Sequence, residues 1–175
     1  DYLEVIICQI VRLLKNNNIL KMSKRDGNFI TLKEVYDSVG KDPLRYFMVS
    51  TRSETSMDFD MDKVLEKNKD NPVFYVQYSF ARISSIFRTL GKSLGDDIKI
   101  EDDKLDLNNN EEKILRKIFE WPKIIESAAK KLEPHKIPFY LYELSTLFHS
   151  YWSKGNEDSK FRLIQNGKVK KEDTL

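Results

Sequence analysis

Apolar positions recur three and four apart over most of the second half of the chain, the spacing that lines one face of an α-helix. Val73, Val76, Phe80, Ile83, Phe87 and Leu90 make the first stripe, opened by Asn71-Pro72 and stopped at Gly91. Ile114, Ile118, Trp121, Ile125, Ala128 and Leu132 make the second, and Pro122 forces a kink or a break in it. Ile137, Leu141, Leu144, Phe148 and Tyr151 make the third, which is expected to end at Gly155. Three long amphipathic helices joined by loops predict an antiparallel helical bundle.

The first part of the chain has a different rhythm. Residues 5–14 are rich in Val, Ile and Leu, then meet Lys15 and three asparagines, and Ile19-Leu20 follow. That order predicts a strand, a tight turn tolerant of left-handed geometry, and a returning strand. Thr31 and Glu34 form a capping box for a helix that should stop at a left-handed Gly40. Asp42-Pro43 opens another helix, with Asp42 as N-cap and Pro43 at the first helical position. "STRSETSMDFD" (50–60) then reads as a connecting loop, and Asp58, Asp60 and Asp62 as a capping cluster for a helix starting near Met61. The fold class expected is mainly α: a short β-hairpin and a few helices, then the bundle. The division falls at 1–62 and 63–175.

Composition adds bounds. With 175 residues, 40% hydrophobic and 11% aromatic, the chain can build a core, which argues against wholesale disorder. The single cysteine, Cys8, cannot form an internal disulfide or a zinc site and is expected to be a small buried hydrophobe in a cytoplasmic protein. Its run is broken by Gln9 and Arg12, is too short to span a bilayer, and lacks a signal-peptide layout. The sequence begins at Asp1 inside this apolar run, as the interior of a longer protein would.

Charged residues make up 33% of the chain, yet the net charge is only +2. That balance conceals two zones. Lys63, Lys67, Lys69, Arg82, Arg88 and Lys92 oppose only Glu66 and Asp70, whereas the segment "GDDIKIEDDKLDLNNNEE" (95–112) is strongly acidic. The acidic segment would repel phosphate and reads as a solvated loop; the basic zone suits nucleic acid. Tyr78 and Arg82, four apart, share one helix face beside Tyr75 and Gln77. Unstacked bases are gripped by aromatic faces and guanidinium planes, so RNA contact is the functional reading; packing with a surface ion pair is the plain one. Arg88 and Lys92 suit backbone phosphate. His135 and His149, far apart and without cysteine, read as structural rather than as metal ligands, and Trp121 and Trp152 as core.

The densest chemistry is "KMSKRDGN", residues 21–28. Lysine is a compact, hydrated ammonium suited to phosphate oxygens, and Gly27 offers a pivot for a loop closing on a nucleotide. A solvated turn whose lysines aid solubility is the alternative. The string closely resembles the signature loop of class I aminoacyl-tRNA synthetases. Arg25-Asp26-Gly27-Asn28, "FITLKEVYDSVGKDPLRYFMVS" (29–50), "MDFDMD" (57–62) and "NPVFYVQYSFARISSIFR" (71–88) resemble the arginyl-tRNA synthetases in particular.

The resemblance implies the end of a Rossmann-type catalytic domain followed by the helical anticodon-binding (DALR) domain. It implies an ATP-dependent ligase that makes arginyl-adenylate and transfers the arginyl group to tRNA(Arg). Lys21 and Lys24 would be catalytic, and Lys21, Met22, Ser23 and Lys24 would bind ATP, with Mg2+ on the nucleotide and no protein-bound metal. Asn71, Tyr75, Gln77, Tyr78, Arg82, Arg88 and Lys92 would bind tRNA, in a monomer without a membrane partner. The family's His-Ile-Gly-His element and its pockets for adenine and arginine do not occur in these residues, and the tail lacks the family's closing helix. A C-terminal portion, trimmed at both ends and inactive alone, is therefore expected. Where the family usually has Ala-His, this chain has Ser79-Phe80. The competing readings are a free-standing helical RNA-binding module and a fragment of another class I synthetase such as the cysteinyl enzyme.

Overall fold

A computed structural model describes residues 3, 5–20, 29–96, 107–165 and 168–169. They fall into two compact units, one of residues 1–75 and 123–140, the other of 76–122 and 141–175. The units follow packing rather than chain order, since each is built from two stretches.

In the first unit β1 (Val11–Lys15) is the middle strand of a three-stranded sheet, between β2 (Asn18–Ile19) and β3 (Met57–Asp60). Asn16 and Asn17 adopt φ of 50° and 62° and form the two-residue turn from β1 to β2. Positive φ at both turn residues matches the right-handed twist of the strands, and asparagine tolerates it. β3 runs parallel to β1, pairing Val11 with Met57 and Leu13 with Phe59. Parallel neighbours require a crossover, supplied here by α1 (Leu32–Val39) and α2 (Lys41–Ser50). Alternation decides the faces: Leu13 and Phe59 are buried, while Arg12 and Asp58 point outward and bond at 2.5 and 3.0 Å. Val35, Val39, Leu44, Met61 and Val64 complete the core, with Phe47 edge-on to Phe59.

Several expectations are corrected in this unit. Residues 50–60 are not all loop, because the Met-Asp-Phe-Asp alternation forms β3. The first strand begins at Val11, not Val5. Ile7 and Ile10 are exposed, and so is Cys8, because β3 pairs only with 11–14 and leaves the preceding residues uncovered. The capping box of Thr31 and Glu34 forms as expected, and Gly40 takes φ 83° with an extended ψ of 171°. Gly40, not Asp42, is the N-cap of α2, which places Asp42 and Pro43 inside its first turn. Proline is tolerated there because first-turn N–H groups have no helical partner. The three aspartates divide their work: Asp58 pairs with Arg12, Asp60 accepts from the backbone N–H of Asp62 and Lys63, and Asp62 accepts from Asn16 N–H at 2.6 Å. Only a 3-10 turn, Lys63–Leu65, follows them.

The second unit is helical. α3 (Pro72–Thr89) enters it from Val76, α4 (Asn109–Phe119) lies wholly within it, and α6 (Lys136–Glu157) enters it from Leu141. α5 (Trp121–Lys131), which belongs to the first unit from Lys123 onward, starts immediately after Glu120, so Pro122 breaks the second stripe and sits in a new first turn. Asn108 and Glu111 close a capping box on α4. α4 and α6 run antiparallel: Asn110 bonds Lys154, Glu111 accepts from Tyr151, and Lys117 meets Glu143. Burial pulls the Lys117 ammonium down, but the carboxylates of Glu120 and Glu143 outweigh it and hold the group above the usual lysine range. Gly155 does not end the third helix. It lies inside α6, where a Cβ would come within 3.0 Å of the Phe161 carbonyl oxygen, so its role is close approach rather than helix termination. A small hairpin, β4 (Ile164–Gln165) with β5 (Lys168–Val169), closes the described chain.

Candidate nucleic-acid interface

Lys21, Met22, Ser23 and Lys24 lie outside the described residues. The flanking residues are anchored in the first unit. Leu20 N–H donates to the Leu13 carbonyl at 2.9 Å, Leu20 and Ile30 pack against the core, and Thr31 caps α1. The 21–28 segment therefore joins a strand end to a capped helix start.

The candidate RNA contacts are carried by α3. Phe80, expected on the apolar stripe, is 62% exposed, and Ser79 takes the buried place instead. Successive residues on a helix are turned by about 100°, so the two cannot share that face. Ser79 Oγ lies 2.9 Å from Nε2 of His149 on α6, and Arg82 Nη1 lies 2.8 Å from Nδ1 of the same ring. A guanidinium only donates, so Nδ1 must be the bare acceptor and Nε2 the N–H that donates to Ser79. His149 is thus neutral in this arrangement. Tyr78 stacks on its ring at 5.7 Å, and the Arg82 carbon Cζ sits 4.3 Å from the Tyr78 ring centroid and 5.0 Å from that of Trp152. Arg82 Nη2 also donates to Tyr78 Oη at 3.3 Å.

This is a cationic plane held between aromatic faces, with Tyr78 exposed and Arg82 and Trp152 half-buried. Among the described residues no carboxylate pairs with Arg82, so the cluster keeps its positive charge. Two of the guanidinium's five N–H donors are committed to the cluster, which leaves three for a ligand. Stacking on such faces is sequence-tolerant and strong for unstacked bases. The ion pair of the plain reading does not form among the described residues; Arg82 meets His149 instead.

The other predicted residues divide. Asn71 is corrected: it is buried, its amide N–H groups donate to the Val64 and Glu66 carbonyls at 2.9 and 2.7 Å, and its Oδ1 accepts from Val73 N–H. Its side chain is spent inside the fold as the opening cap of α3. Tyr75 is half-buried and Gln77 exposed. Arg88 is exposed in the last turn of α3. Gly91 at φ 68° lets its own N–H reach the Arg88 carbonyl and Lys92 N–H reach Phe87, a Schellman closure that sets Lys92 just past the helix end. The basic zone does not form a single patch within one unit, because Lys63, Lys67 and Lys69 belong to the first unit and Arg82, Arg88 and Lys92 to the second.

His135 is buried edge-on to Phe139, while Trp121 is 37% exposed rather than core. Sequence reading missed the engagement of His149, since nothing local links positions 79, 82 and 149. The sole hint was a polar ring next to Phe148 on an otherwise apolar stripe.

A family model described as the DALR anticodon binding domain matches residues 76–171. The chain belongs to that family. The Tyr78–Arg82–His149–Trp152 cluster thus lies inside the DALR match. A second model, described as class I tRNA synthetases (M), matches residues 12–74, the part that carries β1 to β3 and the KMSK string. Among curated relatives, the arginine–tRNA ligase of Pelagibacter ubique is 48% identical over 97% of this chain. That of Ruegeria pomeroyi is 46% identical over 94%. The chain spans about 29% of the length of each. A solved structure named as an arginyl-tRNA synthetase of Campylobacter jejuni superposes with a TM-score of 0.75 at 32% identity, covering 86% of this chain and 32% of that one.

Proposed function

We propose that this chain is the part of an arginine–tRNA ligase that supplies the KMSK loop and the helices that grip the anticodon stem and loop of tRNA(Arg). The observation that carries the RNA reading is the Arg82 guanidinium, unpaired with any described carboxylate and set between Tyr78 and Trp152 in a DALR domain. Tyr78 would stack an unstacked base, Arg82 would bond its edge or a phosphate, and Gln77, Tyr75, Arg88 and Lys92 would extend the contact along α3 and past its end.

In the whole ligase, the arginine carboxylate attacks the α-phosphorus of ATP and pyrophosphate leaves. A terminal ribose hydroxyl of the tRNA then attacks the arginyl carbonyl and AMP leaves. By match to the motif, Lys24 would stabilise negative charge growing on the phosphates, Lys21 would assist at the pyrophosphate end, and Met22 and Ser23 would help to seat ATP. Mg2+ is expected to arrive on the phosphate oxygens. The remaining expectations, a monomer acting in the cytoplasm, belong to the same proposal, as does the division of the chain at 62/63.

The test is titration of this chain with tRNA(Arg) across salt concentrations. Each neutralised phosphate should contribute roughly −0.7 to −0.9 to the log–log slope. Tyr78→Ala should weaken binding by about 1–3 kcal/mol. A slope near zero, or equal affinity for a plain DNA duplex, would refute anticodon-loop binding.

A further inference from the structure

We infer that His149 is a positioning residue for the RNA contact, holding the Arg82 guanidinium over the Tyr78 ring from behind rather than touching RNA itself. This rests on the reading of Arg82 and Tyr78 as RNA-facing groups. The ring is 5% exposed, so its own access to a ligand is negligible. Both of its nitrogens are engaged: Nε2 by Ser79, and Nδ1 by Arg82 at 2.8 Å. One face stacks on Tyr78 with an interplanar angle of 25°. The imidazole therefore fixes both halves of the stacking pair at once, one through its edge and the other through its face.

The direction of the hydrogen bonds gives this arrangement its logic. Ser79 Oγ accepts from Nε2–H, which leaves Nδ1 as a lone-pair acceptor aimed at Arg82. Arginine has a rotamer-rich side chain, and a guanidinium already held in its bound orientation loses less entropy on meeting a ligand. Holding it by a neutral imidazole instead of a carboxylate leaves its charge available to phosphate or to a base edge. A carboxylate at position 149 would orient the arginine equally well and cancel the field that attracts RNA.

The experiment is a double-mutant cycle on the 175-residue chain, with tRNA(Arg) affinity followed by fluorescence anisotropy and folding checked by thermal melts. His149→Phe keeps the ring and removes the acceptor; we expect affinity to fall roughly five- to tenfold, less than the whole of a hydrogen bond to a charged group because only the orientation of Arg82 is lost. His149→Asn restores an acceptor near the Nδ1 position and should recover most of that loss. In an Arg82→Ala background, His149→Phe should have no further effect. If His149→Phe does not fold, Ser79→Ala removes the partner of Nε2 while leaving the ring in place, and should cause a two- to threefold loss only when Arg82 is present. Equal losses with and without Arg82 would overturn the positioning role, as would a large effect of Arg82→Ala with none for His149→Phe. Unchanged affinity for Arg82→Ala itself would instead overturn the RNA-contact reading beneath it.

Discussion

The two units are held together by different means. In the first, the residues withdrawn from water are chiefly aliphatic and aromatic: Leu13, Val35, Val39, Leu44, Phe59, Met61 and Val64 surround a small parallel sheet. In the second, the only described apolar-class side chain that is buried is Tyr151, and its hydroxyl donates to Glu111 at 2.5 Å; Ser79, Ser145 and His149 are also buried in this unit. An apolar core tolerates no voids but asks little of direction, whereas a polar network is directional and costly when one member is lost. The unit expected to read RNA is thus the one whose interior fixes orientations, and the unit flanking the KMSK string is the one built for bulk stability.

Substitutions that separate these modes sharpen the contrast. Phe59→Ala empties the most buried large side chain, 1% exposed, and should cost about 3–5 kcal/mol in urea or thermal unfolding. A loss under 1 kcal/mol would mean that the sheet core is not what holds the first unit. Ser79→Ala removes only one oxygen, yet it leaves the His149 Nε2–H without its partner in a buried site. That change should destabilise by about 1–3 kcal/mol, mostly as a lower unfolding midpoint of the second unit. A neutral result would show that the network relaxes or admits water, and that directional bonding is not what holds the second unit.

The legibility of the chain follows the same line. Where structure was set by local spacing, the sequence was sufficient: the helical periods of α3 to α6, the Pro122 break, the Asn16-Asn17 turn and the Thr31 box all require only neighbours within a few residues, while Phe80 and Trp121, placed on the stripes by spacing, lie exposed. Failures came where a partner lay far along the chain. β3 exists because Met57 and Phe59 find β1 across a crossover of two helices, and four residues of alternation are too few to announce that. Gly155 looked like a stop signal because its true constraint, the backbone at Phe161 and Arg162, follows the helix and folds back on it. Cys8 looked buried because an apolar run implies a cover, and among the described residues none is present. Within the candidate site, Tyr78 and Arg82 were legible as an i, i+4 pair, while His149, 67 positions beyond Arg82, was not.

The smallest expected effect tests the first unit from its surface. Thr31 caps α1 through Oγ1, which accepts from Glu34 N–H at 3.1 Å, while the Glu34 carboxylate accepts from Thr31 N–H at 2.6 Å. Thr31→Ala should therefore cost about 1 kcal/mol, less than either buried change. The backbone N–H of Thr31, and next its hydroxyl, hold the Glu34 carboxyl below its usual range, outweighing a small opposing effect of burial. The sign follows from linkage: a carboxyl whose pKa is lower folded than unfolded stabilises the fold when ionised. That contribution is complete above the unfolded value, about 4.3, and disappears as pH falls through the lower folded value. The stability difference between the wild-type chain and Glu34→Gln should accordingly be constant near neutral pH and shrink toward zero in acid. A difference that persists unchanged well below pH 4 would assign the box's effect to hydrogen bonding that needs no ionised carboxylate, since glutamate and glutamine have the same length and carbon skeleton.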